Sequence, residues 1–326
     1  MRDRSIDLLK GIAILFVYLG HCILYHPIQM EQMYEWCRVL GRFIESFNMP
    51  LFFIISGYLF SKTQKSTIEL YKGKALRLLV PYLFTMAILI GVKLILPSSL
   101  SYNEAVAGGG ISLIANALLN GGDRWFVYVM FVMYLFVIPI RSVLKNKKIL
   151  LMSALILISI YYMDFMPTLF KLDAVFYFLF FFLLGYALHD HWAFLKWICL
   201  KYWYVTISVL VLLNLILIIP FEKISFIYRF LLPITGSLGC LSVASLLEKT
   251  DSSKIVKYVE YCGKYSLQFY LFTFCYPIIR WGIVSVAHVT NPVLILLSVF
   301  VLQLIAITII VEITRRIKFL KVPCGY

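Results

Sequence analysis

Ten stretches of this chain are apolar for long enough to cross a lipid bilayer. A helical span needs about 20 apolar residues at a rise of about 1.5 Å each. Candidate stretches lie at roughly 6–24, 43–61, 76–96, 124–141, 149–163, 174–188, 203–220, 226–247, 265–284 and 292–313. The fifth and sixth are short and are joined by Asp164-Phe165-Met166-Pro167. Inside lipid every backbone N–H and C=O must find its partner within the protein, so such runs fold as helices. The fold class expected is therefore an all-α integral membrane protein of about ten transmembrane helices. The composition agrees: 62% of residues are hydrophobic and 14% charged, with a mean hydropathy of +0.91. A soluble domain is nearer half apolar and a quarter charged, and no soluble domain is left over once the spans are removed.

The net charge of +14 does not point to nucleic acid, because the basic residues form no single patch. They sit in short segments between spans, where positive charge sets orientation. Five of the 30 Lys and Arg residues (Arg38, Arg42, Arg124, Lys171, Lys223) fall in one set of alternating loops. Four (Lys10, Lys93, Arg229, Arg280) fall inside spans, and the remaining 21 fall in the other set. The richer set is expected to face the cytoplasm, which puts both termini there. The first apolar run continues as a full span with no small-residue cleavage site, so no cleavable signal peptide is expected. The seven cysteines are scattered without CxxC or paired spacing. They predict neither a disulfide framework nor a zinc site. No metal site is expected. The run from Ala107-Gly108-Gly109-Gly110 to Gly121-Gly122 is only moderately apolar; a loop, an interfacial helix and a re-entrant segment all fit it.

The first span carries three ionisable residues, Asp7, Lys10 and His21. Ionisable groups inside a span are expensive and mark function by default. On a helix the eleven-residue step from Lys10 to His21 returns to within about 20° of the same direction, about 16 Å farther along the axis. The two groups thus form two stations on one stripe, near opposite faces of the membrane. A simpler reading makes Asp7 and Lys10 an ion pair at the helix start and His21 an interfacial polar residue. In the second span, Pro50 kinks the helix and Ser56-Gly57 admits a close neighbour. Glu45 enters that span at about the depth of His21. Lys74 and Arg77 open the third span at the cytoplasmic face, and Arg280-Trp281 interrupts the ninth.

Two motifs together are specific. Ile6-Asp7-Leu8-Leu9-Lys10-Gly11-Ile12-Ala13, with a His eleven residues after the Lys, combined with Met49-Pro50-Leu51-Phe52-Phe53-Ile54-Ile55-Ser56-Gly57, closely resembles the membrane-bound acyltransferase family 3. Weaker likenesses are Lys74-Ala75-Leu76-Arg77, Arg124-Trp125-Phe126-Val127, Phe180-Phe181-Phe182-Leu183-Leu184-Gly185-Tyr186 and Gly263-Lys264-Tyr265-Ser266-Leu267-Gln268-Phe269-Tyr270-Leu271. Asn48 and Thr273 stand where many members of the family carry His, which weakens any two-histidine site and removes a late base. The resemblance implies one acyltransferase domain over residues 1–326, in a bacterial cell membrane, modifying surface sugars. It also implies that the His of the first motif, here His21, is essential. The extracellular hydrolase-like domain that some members append is not seen in this sequence. Transfer is expected to be completed within the membrane part.

Acyl transfer to a hydroxyl needs a base whose pKa lies near working pH, and imidazole is the usual choice. The expected catalytic set is His21, with Glu45 orienting the ring and Asp7 beside Lys10; a Glu45 that merely faces headgroups is the alternative. Lys10, Lys74 and Arg77 are the expected contacts to the phosphates of acyl-CoA, most simply acetyl-CoA, as co-substrate rather than bound cofactor. Trp125, Tyr270 and Arg280 are the expected contacts to a sugar acceptor, either a surface glycan or its lipid-linked precursor. A transporter or exporter of polysaccharide or of a small anionic solute would also use ten spans and buried charge. The Lys10–His21 spacing, the Met49-Pro50 motif and the absence of an evident inverted repeat favour the transferase.

Overall fold

The computed structural model describes residues 3–24, 34–95, 109–144, 146, 150, 152–153, 156, 168–215, 227–250, 253–273 and 276–326. Every regular element among them is helical. Six helices among the described residues are long and apolar enough to cross a membrane: Arg4–Ile23, Glu35–Ser61, Thr67–Ile95, Leu169–Lys201, Ile227–Lys249 and Pro292–Arg316. Trp203–Leu213 is a shorter apolar helix. The fourth expected span contains the 13-residue helix Trp125–Val137. The fifth, with the Asp164–Pro167 link, falls almost wholly outside the described residues. The ninth is not one rod: Ser266–Leu271 and Tyr276–Trp281 are separate short helices, followed by a π-turn at Gly282–Val286.

The chain divides into two compact units, Met1–Ile55 with Leu188–Ile305, and Ser56–Ala187 with Ala306–Tyr326. Unit one begins with α1 (Arg4–Leu24). Asp3 starts this helix by accepting from the Ser5 N–H and hydroxyl at 3.1 and 2.6 Å, the usual means of satisfying first-turn donors. Helix α2 (Glu35–Ser61) carries unit one up to Ile55 and unit two beyond it. Pro50 lies inside it and withholds a donor from the Ser46 carbonyl.

Unit two continues with α3 (Thr67–Lys74), a π-turn at Ala75–Leu79 and α4 (Val80–Ile95). A reciprocal cap opens α3: the Glu69 N–H donates to the Ser66 hydroxyl, and the Ser66 N–H donates to the Glu69 carboxylate. Then come α5 (Gly109–Asn120), α6 (Trp125–Val137) and α7 (Leu172–Ala187). The glycine-rich run left open by the sequence is thus largely the helix α5. The hydroxyls of Tyr82 and Tyr128 hold it to α4 and α6, donating to the Ala117 and Leu118 carbonyls at 2.6 and 2.9 Å. Gly57 lets α2 touch the backbone of α7: a Cβ there would strike the Phe182 carbonyl oxygen. Phe60, one turn on, packs against Tyr134, Phe182 and Tyr186.

Unit one resumes with α8 (Trp192–Lys201), α9 (Trp203–Leu215), α10 (Leu232–Lys249), α11 (Lys254–Lys264), α12 (Ser266–Leu271) and α13 (Tyr276–Trp281). The last long helix is α14 (Pro292–Arg316). On α14, Leu294, Leu297, Val301, Ile305, Ile309 and Ile313 are exposed at helical spacing, while Leu296, Val299, Gln303, Ile307 and Val311 are buried. An exposed apolar stripe of that length is the outer surface of a protein solvated by lipid.

Candidate active site

Asp7 and Lys10 lie where α1 crosses α11. A side chain at Gly11 would strike the Val259 carbonyl oxygen, and one at Gly263 would strike that of Asp7, so the two backbones touch there. Small residues permit such an approach between helices. α11 is amphipathic: Val256, Val259, Cys262 and Gly263 are buried, while Lys254, Lys257 and Lys264 are exposed. Asp7 is 4% exposed and its carboxylate meets Lys10 Nζ at 2.8 Å. The ion pair considered from the sequence is therefore present, and it sits inside a helix crossing rather than on an open surface. Arg4 Nε reaches Glu260 of α11 at 2.9 Å and holds the same crossing. α11 itself was missed by sequence reading, because its lysines read as a basic inner loop.

His21 stands in the last turn of α1 and is half-buried. Below it, the fully buried Tyr18 donates its hydroxyl to the Phe269 carbonyl at 2.8 Å. Beside it, Gly20 packs on Ile44: a Cβ there would be 3.1 Å from Ile44 Cγ2. Phe16 meets Phe43 and Phe47 edge-on at 6.3 and 5.2 Å. This seam between α1 and α2 sets His21 and Glu45, each one residue beyond the Gly20–Ile44 contact, at one level. Glu45 is exposed.

The residue after His21 is held from the far side. Arg280, on α13 and 0% exposed, donates through Nη1 to the Cys22 carbonyl at 3.0 Å. The Cys22 thiol faces Gln303 Oε1 at 3.8 Å. Gln303, on α14, is also fully buried, and its Nε2 has no hydrogen-bond partner among the described residues. Sequence reading passed over Gln303, though a carboxamide inside an apolar run was the available signal. Tyr270 is buried on α12 and accepts on its carbonyl from the Thr273 hydroxyl at 3.1 Å.

Lys74, Arg77 and Trp125 belong to unit two. Lys74 is half-buried, with Nζ 3.6 Å from the centre of the Tyr134 ring, a favourable place for an ammonium. Arg77 is exposed on the π-turn, a distortion frequent at functional sites. Arg141 donates to the Lys65 carbonyl at 3.0 Å and to that of Thr63, closing this basic end. Trp125 lies at the opposite end of the unit. It begins α6, which runs antiparallel to α4, as the Lys93–Asp123 ion pair at one end and the Lys74–Tyr134 contact at the other require. Lys93 pairs with Asp123 at 2.5 Å. Trp125 stacks on Phe178 with centroids 5.8 Å apart and planes at 27°. No group of three His, Cys, Asp or Glu side chains placed to hold a metal occurs among the described residues.

These features define a multi-pass helical membrane protein whose first span carries an anchored lysine at one end and a half-buried histidine at the other. Residues 3–312 match the family described as an acyltransferase domain, and the chain belongs to that family, the membrane-bound acyltransferases of family 3. It is similar to nodulation protein NolL of Sinorhizobium fredii, with 31% identity over 159 residues, covering 48% of this chain and 42% of that protein. It is likewise similar to nodulation protein NolL of Mesorhizobium japonicum, with 30% identity over 157 residues, covering 47% and 39%. The matched region thus spans about two fifths of the length of these curated relatives. No solved structure matches the chain.

Proposed function

We propose that this protein moves an acyl group, in the first instance acetyl, from acyl-CoA to a hydroxyl of a surface glycan or its lipid-linked precursor. In this reading it lies in a bacterial cell membrane with about ten spans and both termini cytoplasmic. The observation that carries the reading is α1: one helix, in a chain of the acyltransferase family, with Lys10 tethered by Asp7 at its start and His21 held in its last turn.

His21 takes the proton of the acceptor hydroxyl as its oxygen attacks the thioester carbonyl. The new C–O bond forms, the C–S bond breaks, and the proton passes to the departing CoA sulfur. A base positioned in this way contributes roughly 10²–10⁴-fold. Glu45 orients the imidazole by the logic of an acid partnering a catalytic His. Asp7 holds Lys10 in place through their ion pair. Lys10, Lys74 and Arg77 each supply cationic donors suited to the phosphates of CoA, Arg77 with its planar fork. Of the residues expected at the acceptor, Trp125 offers a ring face in unit two; in unit one Arg280, enclosed and bonded to the Cys22 carbonyl, orients the turn that carries His21, and Tyr270 is likewise enclosed.

The test uses the full chain in phospholipid nanodiscs with isotope-labelled acetyl-CoA and membrane glycan lipids. Label should enter the glycan fraction with release of free CoA. His21→Ala should lower the rate by about 10²-fold or more while the protein stays folded. Full activity in a well-folded His21→Ala protein would overturn the mechanism.

A further inference from the structure

Unit two contains a cavity of about 470 Å³ between the end of α5, the start of α6 and the start of α7. Its volume lies in the range of small-molecule sites. We propose that it binds one sugar ring of a glycan. The proposal rests on the reading above for its ligand class, and on the cavity itself for its place.

The lining is half polar and half apolar, in the manner a sugar requires. The Trp125 indole, backed by Phe178, offers a flat apolar surface. Around it stand Asn116, Asn120, Thr168 and Lys171. Asn120 Nδ2 donates to Asn116 Oδ1 at 3.3 Å, which orients both carboxamides. That bond leaves the Asn116 amide group as a donor and the Asn120 carbonyl as an acceptor, one helical turn apart. Neighbouring ring hydroxyls each donate and accept, and such a pair of amides matches them. An acyl chain in the cavity would leave these groups dry and unpaired, at a cost. A nucleotide's phosphates would call for more than the one cation that Lys171 provides.

The backbone is shaped to this end. Gly121 turns the chain at φ 77° between α5 and α6. Phe170 and Lys171 hold the left-handed region at φ 56° and 53°, where residues with a Cβ are uncommon. Such strained positions persist where the surrounding structure over-determines them. The cavity also lies at the end of unit two away from Lys74, Arg77 and Arg141. Along α6, the nine residues from Trp125 to Tyr134, whose ring Lys74 covers, separate the two by about 14 Å. In the proposed orientation the basic end faces the cytoplasm and the cavity faces outward, where surface glycans are exposed.

The test measures sugar binding apart from catalysis. Methyl β-glucoside, methyl β-galactoside and N-acetylglucosamine would be examined by saturation-transfer NMR with the full chain in phospholipid nanodiscs, free of glycoside detergents. At least one should receive saturation from aromatic protein protons. Asn116→Leu with Asn120→Leu should weaken it at least tenfold. Ala174→Phe, which fills the cavity from α7 without removing a polar contact, should do the same. Absence of transfer to any of the three sugars, or wild-type binding in either variant with an unchanged melting temperature, would overturn the assignment. Sugar binding lost in the variants, in a protein that consumes no acetyl-CoA with any acceptor, would sustain the cavity and remove the acyl-transfer reading instead.

Discussion

At the scale of single residues, Arg280 and Gln303 add most to what the motifs implied. Arg280 interrupts an apolar stretch, which made it a candidate to touch the acceptor. In the structure it is wholly enclosed and bonded to the carbonyl of Cys22, the neighbour of His21. A cation at the last turn of a helix also answers the partial negative charge of its unpaired carbonyls. Its expected effect on catalysis is therefore through the orientation of that turn. Arg280→Met should lower kcat and leave KM for acetyl-CoA unchanged. Loss of one hydrogen bond from a charged group should lower stability by about 1.5–3 kcal/mol. Steady-state kinetics and thermal melting check both. A raised KM for the acceptor at unchanged kcat would instead show direct contact with the sugar. Sequence alone flagged Arg280 as unusual, since a charge in a span is conspicuous. It gave no hint of the Cys22 carbonyl, 258 positions away.

At the scale of elements, the crossing of α1 and α11 positions the Asp7–Lys10 pair. Gly11→Ala and Gly263→Ala should each destabilise the protein by about 1–3 kcal/mol or more, because the added methyl meets backbone that cannot swing aside. Gly73→Ala in α3 is the control: nothing lies within 4 Å of a Cβ there, and alanine should raise stability by about 0.5–1 kcal/mol. Thermal melting of the three variants in the same nanodiscs decides the matter, and equal melting temperatures would dissolve the proposed crossing. α1 was fully legible as a span, and its Lys–His spacing survives as a helix with both residues in place. α11 was not legible, since half its residues are polar and its lysines read as loop charges. The Gly109–Asn120 segment was ambiguous for a related reason: its glycines argue for a loop and its Ile and Leu residues for a helix, and only contacts from Tyr82 and Tyr128 decide between them.

At the scale of the whole molecule, the charge asymmetry of the loops makes a prediction about sidedness. A C-terminal fluorescent-protein fusion should fluoresce and a C-terminal alkaline phosphatase fusion should stay inactive, since both termini are expected in the cytoplasm. An active phosphatase would reverse the sides assigned to Lys10 and His21. What the sequence determined by itself is the class: apolar runs of span length and alternating basic loops make it a helical membrane protein, and the paired motifs mark its family, an acyltransferase domain. Lipid leaves a backbone no other regular way to satisfy its hydrogen bonds than a helix or a closed barrel. What only the tertiary structure decided is which polar groups meet: Asp7 behind Gly263, Arg280 on Cys22, and Asn116 and Asn120 around one cavity with Trp125 and Lys171. In water a helix shows its packed face by being apolar there and polar elsewhere. In lipid both faces are apolar, as on α14, so periodicity names no partner, and only the packing of particular small and polar side chains reveals who touches whom.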